Sequence, residues 1–278
     1  PGFAPPGEGL PPRLPRRLFL GPRWAITRDL ELNTGAVLDA RLTEDWSLKA
    51  GLFRSSVVLP TDFTNLFQDV QADGRARQLV IADPRLFFGS TSGEVRLTRR
   101  FGGGEGTHDV HLAVRGRQAF RRFDGSVEVD LGPTSIRTPN RTPKPVLAFE
   151  PQQFDRVTQW TVALGYDGRW AGVGALSAGL QRTDYLKRIG PADQPPVVTS
   201  TTPLLWNVNL ALDVTDRLAV YGGGVTGLEE SGIAPGNAIN RNEALPAILT
   251  RQFDAGIRYA LTGELRLTAG LFQVSKPY

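Results

Sequence analysis

Alternation with a period of two runs through most of this chain and constrains its fold more than any other feature. In "WSLKAGLFRS", Trp46, Leu48, Ala50 and Leu52 share one parity, and Ser47, Lys49 and Gly51 the other. Successive side chains of a strand point to opposite faces, so the stretch reads as a strand with one apolar and one polar face. Ala36, Leu38, Ala40 and Leu42 form a similar run, and Thr43–Asp45 separate the two as a tight turn. Eight further runs follow, carried by Val95/Leu97, Val110/Leu112/Val114, Trp160/Val162/Leu164/Tyr166, Leu176/Ala178/Leu180, Trp206/Val208/Leu210/Leu212, Leu218/Val220, Phe253/Ala255/Ile257/Tyr259 and Leu265/Leu267/Ala269/Leu271. Together they predict ten strands in five hairpins.

The connections are sorted by length. Short turns are expected at 43–45, 101–107, 167–170, 215–217 and 261–263. Long connectors are expected at about 56–90, 123–155, 188–203 and 227–249. The first 17 residues, "PGFAPPGEGLPPRLPRR", read as a Pro/Gly-rich loop segment outside any strand. No segment has the caps and the 3.6-residue stripe of a helix.

Composition narrows the function classes. The 278 residues contain no cysteine and two histidines, which leaves no disulfide framework, no cysteine nucleophile and a poor case for a zinc site. There is no nucleophile elbow, and no enzymatic activity is expected. The net charge of +4 is mild and the basic residues are dispersed, so nucleic acid is not an expected partner. No run of 18 apolar residues offers a membrane-spanning helix. That leaves a membrane barrel open, whose segments are short and alternating.

Three features favour lipid over a protein core as the medium facing the apolar parity. Short turns alternate with long loops, as in outer-membrane barrels. The polar parity mixes Arg, Asp, Asn and Gln with Gly and Ala, which suits a wet lumen. Trp46, Phe101, Tyr166, Trp170 and Tyr259 lie at strand ends, where interfacial aromatic girdles form. The expected fold is all-β: an antiparallel, up-and-down transmembrane β-barrel, here a partial barrel of about ten strands occupying residues 1–278 as one domain.

Three stretches resemble the barrel of TonB-dependent outer-membrane receptors, the iron–siderophore type especially: "WSLKAGLFRSSV" (46–57), "STSGEVRLTRRFGGGEGTHDVHLAVRGR" (90–117) and the closing segment from Thr226, with "LPAILTRQ" entering a strand and "LFQVSKPY" leaving it. The resemblance implies uptake of a ferric siderophore or similar chelate across the outer membrane of a Gram-negative bacterium. TonB would be the partner, acting through a plug domain. Lipid would surround the barrel, and no cofactor is implied, since iron arrives inside its chelator. Neither the plug nor the TonB-contacting segment is recognisable here, the initiating methionine is absent, and ten strands are fewer than half of the 22 expected. The chain therefore reads as an internal piece of such a barrel. The rival readings are a passive porin or channel, and a soluble all-β binding or adhesin module.

Candidate residues follow from parity. Arg96, Arg115, Arg117, Asn207, Asn209 and Arg258 fall on the luminal side and would line a ligand path. A positive lumen attracts anionic chelates. The plainer reading, which is favoured, is that the arginines pair with carboxylates of neighbouring strands or of the plug. Glu229, Glu230, Asn240 and Glu243 lie in a long loop and are candidate extracellular contacts. "GGGEG" at 102–106 lacks the GK[ST] and helix of a phosphate loop and reads as a hairpin turn. His108 and His111, three apart on a strand, should face opposite sides: one interfacial, one luminal.

Overall fold

A computed structural model shows fourteen strands and no helix among the residues it describes, which are 2–3, 12–14, 17, 19–138, 140–232, 234, 238–239 and 245–277. The strands are β1 (Gly2–Phe3), β2 (Arg28–Arg41), β3 (Trp46–Gln68), β4 (Arg75–Asp83), β5 (Leu86–Gly103), β6 (Gly106–Phe123), β7 (Val127–Ser135), β8 (Gln153–Trp170), β9 (Gly174–Pro191), β10 (Val197–Thr201), β11 (Leu204–Thr215), β12 (Leu218–Glu229), β13 (Ile248–Ala260) and β14 (Arg266–Ser275).

Ten of these make the expected up-and-down sheet. Its order is β2-β3-β5-β6-β8-β9-β11-β12-β13-β14, antiparallel throughout. Consecutive neighbours run in opposite directions, so the five short turns lie at one rim and the longer connectors at the other. Two turns are shorter and shifted from expectation. Residues 101–103 and 106–107 belong to β5 and β6, leaving a two-residue turn at 104–105, and Asp167–Trp170 belong to β8, with the turn at 171–173. The first is possible because Gly102 and Gly104 adopt positive φ, and a Cβ at Gly102 would sit 2.6 Å from the Gly106 carbonyl. Among the described residues β2 pairs only with β3 and β14 only with β13, so the sheet is open.

Register carries the apolar parity across the whole sheet. One ladder joins Leu48, Leu97, Leu112, Leu164 and Leu180 on five successive strands. Another joins Val110, Tyr166, Ala178, Val208, Gly224 and Phe253. A slip of one residue would move every one of these side chains to the polar face, so the pattern specifies the pairing strongly. Aromatic rings cover glycines on adjoining strands. A Cβ at Gly116 would lie 2.8 Å from the Trp160 ring, and one at Gly256 2.6 Å from the Tyr221 ring carbon Cζ. Such rings shield backbone that glycine leaves bare.

The long connectors are more ordered than the alternation predicts. β3 continues past Leu59, where β5 leaves it, and its outer half pairs with β4, which pairs with β7. This apical arm has its own core: Phe63, Phe67, Val80, Ala82 and Ile136 are buried, joined by Leu20 and Ala25 from the chain ahead of β2. Connectors 56–90 and 123–155 therefore contain β4, β7 and the ends of β3, β5, β6 and β8. Connector 188–203 is mostly strand, since β10 pairs with the end of β9 across a turn at 192–196. The N-terminal segment is also not wholly outside the sheet: Gly2–Phe3 pair in parallel with Leu66 and Phe67.

Candidate functional site: the inner face of the sheet

The polar parity forms the inner face. Across it run the ladders Glu94–Arg115–Thr161–Thr183 and Asp109–Asp167–Ser177–Asn209–Gly223–Asp254. A hollow of about 730 Å³ opens on this face near the short-turn rim and spans seven strands, from Arg100 on β5 to Arg258 on β13. A hollow that crosses seven strands on one side requires that side to be concave, as strand twist and coiling produce in a closing sheet.

The candidate arginines divide by partner. Glu94 bridges Arg96 at 2.6 Å and Arg115 at 3.0 Å. Arg100, on the same face, forks onto Asp109 through two hydrogen bonds of 2.8 and 2.7 Å. Arg258 stacks its guanidinium 4.8 Å above the Tyr221 ring. Asn207 and Asn209 lay their side chains over Gly179 and Gly223 of the adjoining strands, so close that a Cβ there would meet the Asn oxygens at 2.4 and 2.3 Å. The glycines make room for amides in the lumen wall.

Toward the long-connector rim, the chain after β12 turns inward onto this face. Lys187, only 2 % exposed, stands between Asp155 Oδ2 at 3.2 Å and Glu230 Oε1 at 3.5 Å, and donates to the Ser231 carbonyl at 2.7 Å. Arg117 reaches the other Glu230 oxygen at 3.5 Å. Buried Ala119, Val157 and Tyr185 pack below Leu228 and Ala247. Asp155 Oδ1 and the Tyr185 hydroxyl are buried without a hydrogen-bond partner among the described residues. Charge taken out of water this far is held only by opposite charge and hydrogen bonds, so the cluster ties the loop to the wall.

The ten candidate residues are therefore not one site. Arg117 and Glu230 meet in the inward-folded loop. Arg96 and Arg115 share Glu94 further down the wall, and Arg258, Asn207 and Asn209 lie toward the opposite end. Glu229 ends β12 and is ion-paired with Lys276. Asn240 and Glu243 lie outside the described residues. Asp155, Tyr185 and Lys187 were not among the candidates. The signal for two of them was present: Thr183, Tyr185, Lys187 and Ile189 continue the inner parity of β9 beyond the run that ends at Leu180.

The two histidines separate as their spacing predicts. His108 stacks on Phe101 and receives or donates a 2.7 Å hydrogen bond at the Tyr166 hydroxyl, with Trp170 edge-on, and these rings form a girdle on the outer face at the short-turn rim. His111 lies on the inner face between Thr98 at 2.8 Å and Asp167 at 2.9 Å. In the apical arm, Arg77 pairs with Asp130, and this guanidinium, helped by the Gly132 amide, holds the Asp130 carboxyl below its ordinary range.

Residues 3–276 match the family model described as TonB dependent receptor-like, beta-barrel. The chain belongs to the TonB-dependent receptor β-barrel family. Solved structures agree on the fold. The ferric preacinetobactin receptor BauA of Acinetobacter baumannii aligns over 91 % of this chain and 38 % of its own, at 18 % identity and a TM-score of 0.62. The ferric-catecholate import receptor Fiu of Escherichia coli aligns over 92 % and 42 %, at 14 % identity and 0.68. The pyoverdine outer membrane receptor FpvA of Pseudomonas aeruginosa aligns over 94 % and 38 %, at 14 % identity and 0.63. The chain thus spans about two-fifths of the length of these receptors. No curated protein matches it by sequence.

Proposed function

We propose that this chain is part of the barrel wall of a receptor that takes up iron–siderophore complexes through the outer membrane of a Gram-negative bacterium, driven through TonB. The concave polar hollow beneath an inward-folded loop carries the reading. A wall with lipid outside and a charged, wet lumen inside suits passage of a hydrophilic chelate, and the siderophore receptors that share the fold support that class of cargo. A lumen wide enough for a chelate leaks unless obstructed, so binding and opening must be separate steps. On this reading Arg96, Arg115, Arg117, Asn207, Asn209 and Arg258 border the ligand path. Glu229 at the end of β12, with Glu230, Asn240 and Glu243 beyond it, would be the first to meet ligand.

The test is radioactive iron uptake by cells producing the protein, offered a panel of ferric siderophores, with and without TonB. Saturable uptake of one chelate class that stops without TonB is expected. Uptake of unrelated small solutes that persists without TonB would instead make the wall that of a passive channel.

A further inference from the structure

Arg156 of β8 and Arg188 of β9 are directly opposed, outward-facing neighbours, and Arg122 of β6 lies diagonal to Arg156 on the next strand. Like charges directly opposite one another destabilise a sheet. The inner-face arginines Arg96, Arg100, Arg115 and Arg117 each have a carboxylate. The three outer ones are exposed and have none among the described residues. Asp184, on the same edge, is not ion-paired to them. Arg156 instead holds its guanidinium 5.3 Å over the Phe120 ring, which fixes its position without neutralising it.

Directly below this cluster the outer face is hollow. A groove of about 770 Å³ runs here between Leu52, which leans over Gly93, and the Trp160 ring, which covers Gly116, with Val95 and Val114 toward its lower end. Its upper end is lined by Thr91, Gln118 and Thr158, the row adjoining Phe120 and Arg156. Four residues along a strand are about 13 Å, so a headgroup held at the arginines would place its chain in the groove.

We propose that this outer surface binds an anionic, phosphate-bearing lipid of the outer leaflet, its phosphate on Arg156, Arg188 and Arg122 and one acyl chain in the Gly93–Gly116 groove. The proposal rests on the reading that the apolar face meets lipid. Guanidinium groups fork onto phosphate oxygens, and the phosphate supplies the counter-charge that the opposed arginines lack. Dispersion contact with a chain fills space that packed side chains would otherwise fill.

The protein, isolated from outer membranes and reconstituted in phosphatidylcholine vesicles, is titrated with brominated phosphatidic acid or brominated phosphatidylcholine, and quenching of tryptophan is read. A preference for the acid form is expected, lowered roughly tenfold by Arg156→Gln with Arg188→Gln and retained in the corresponding double Lys variant. Arg99→Gln, at the opposite rim, should leave it unchanged, and Trp160→Phe should remove much of the quenched signal. Circular dichroism of the sheet confirms that each variant is folded. Equal quenching by both lipids in the native protein, or an unchanged preference in the double Gln variant, overturns the proposal. Loss of the preference on adding inorganic phosphate alone also overturns it, since the arginines then hold a free anion. No quenching by either lipid overturns the membrane reading itself, and this proposal with it.

Discussion

Trp160 and Trp170 project from the same face of β8, ten residues apart, one beside the glycine groove and the other in the aromatic girdle at the short-turn rim. Ten residues of strand are about 33 Å, which at a typical barrel tilt spans about 25 Å of depth, the height of an outer-membrane apolar band. The two rings thus bracket the lipid-facing zone, and Leu164 stands near its middle.

Arginine at Leu164 should cost about 2–4 kcal/mol, as measured by folding titrations into lipid vesicles. Arginine at Asn209, on the inner face, should change stability by less than about 1 kcal/mol. Equal penalties at both positions would contradict the assignment of faces.

Gly116→Val should destabilise by about 1–3 kcal/mol, because the new side chain enters space held by the Trp160 ring. Trp160→Ala should relieve that clash. A double-mutant cycle by thermal unfolding should therefore show coupling between the two sites, and simple additivity would count against the close approach.

Lys187→Met leaves Asp155 buried without its cation and should cost about 3–5 kcal/mol. The loop after β12 should also loosen, read as faster proteolysis within 230–247. Adding Asp155→Leu should recover much of the loss, since no buried charge is then stranded. A single variant as stable as the parent would show that the cluster does not tie the loop down.

Asp130 tests the apical arm by pH. Its carboxyl titrates below the ordinary 3.8 because Arg77 and the Gly132 amide favour the charged form. The stabilisation is therefore full above that ordinary value and is lost as pH falls through the depressed folded one. Hydrogen exchange of β4 and β7 amides should stay slow to below pH 3.8, and in Arg77→Gln should quicken at higher pH. Identical profiles would remove the pair from the account of the arm.

The ten wall strands were legible because their two faces meet different media, so Val95 and Leu97 alternate cleanly with Glu94 and Arg96. The apical arm was not, because its core contains polar groups. Asn65 and Gln78 occupy buried positions on β3 and β4, joined to each other at 3.3 Å, and Asn140 reaches Gln78 at 2.6 Å. Buried amides that satisfy one another break the apolar period by which a strand is recognised. The meeting of Glu230 with Lys187 and Arg117 depends on how a loop folds back, which no local periodicity encodes. The outward arginines lie outside the alternating runs: Arg156 precedes the one that begins at Trp160, and Arg188 follows the one that ends at Leu180.

The central claim is that the apolar parity faces lipid and the polar parity water. The chain has no cysteine, so single cysteines can be placed without background. Fluorophores at Leu164 and Leu180 should be quenched by nitroxide-labelled lipid and not by iodide, while those at Ser177 and Gln181 should respond in the opposite sense. Quenching by iodide at all four positions, or a pattern with the faces exchanged, would contradict the account.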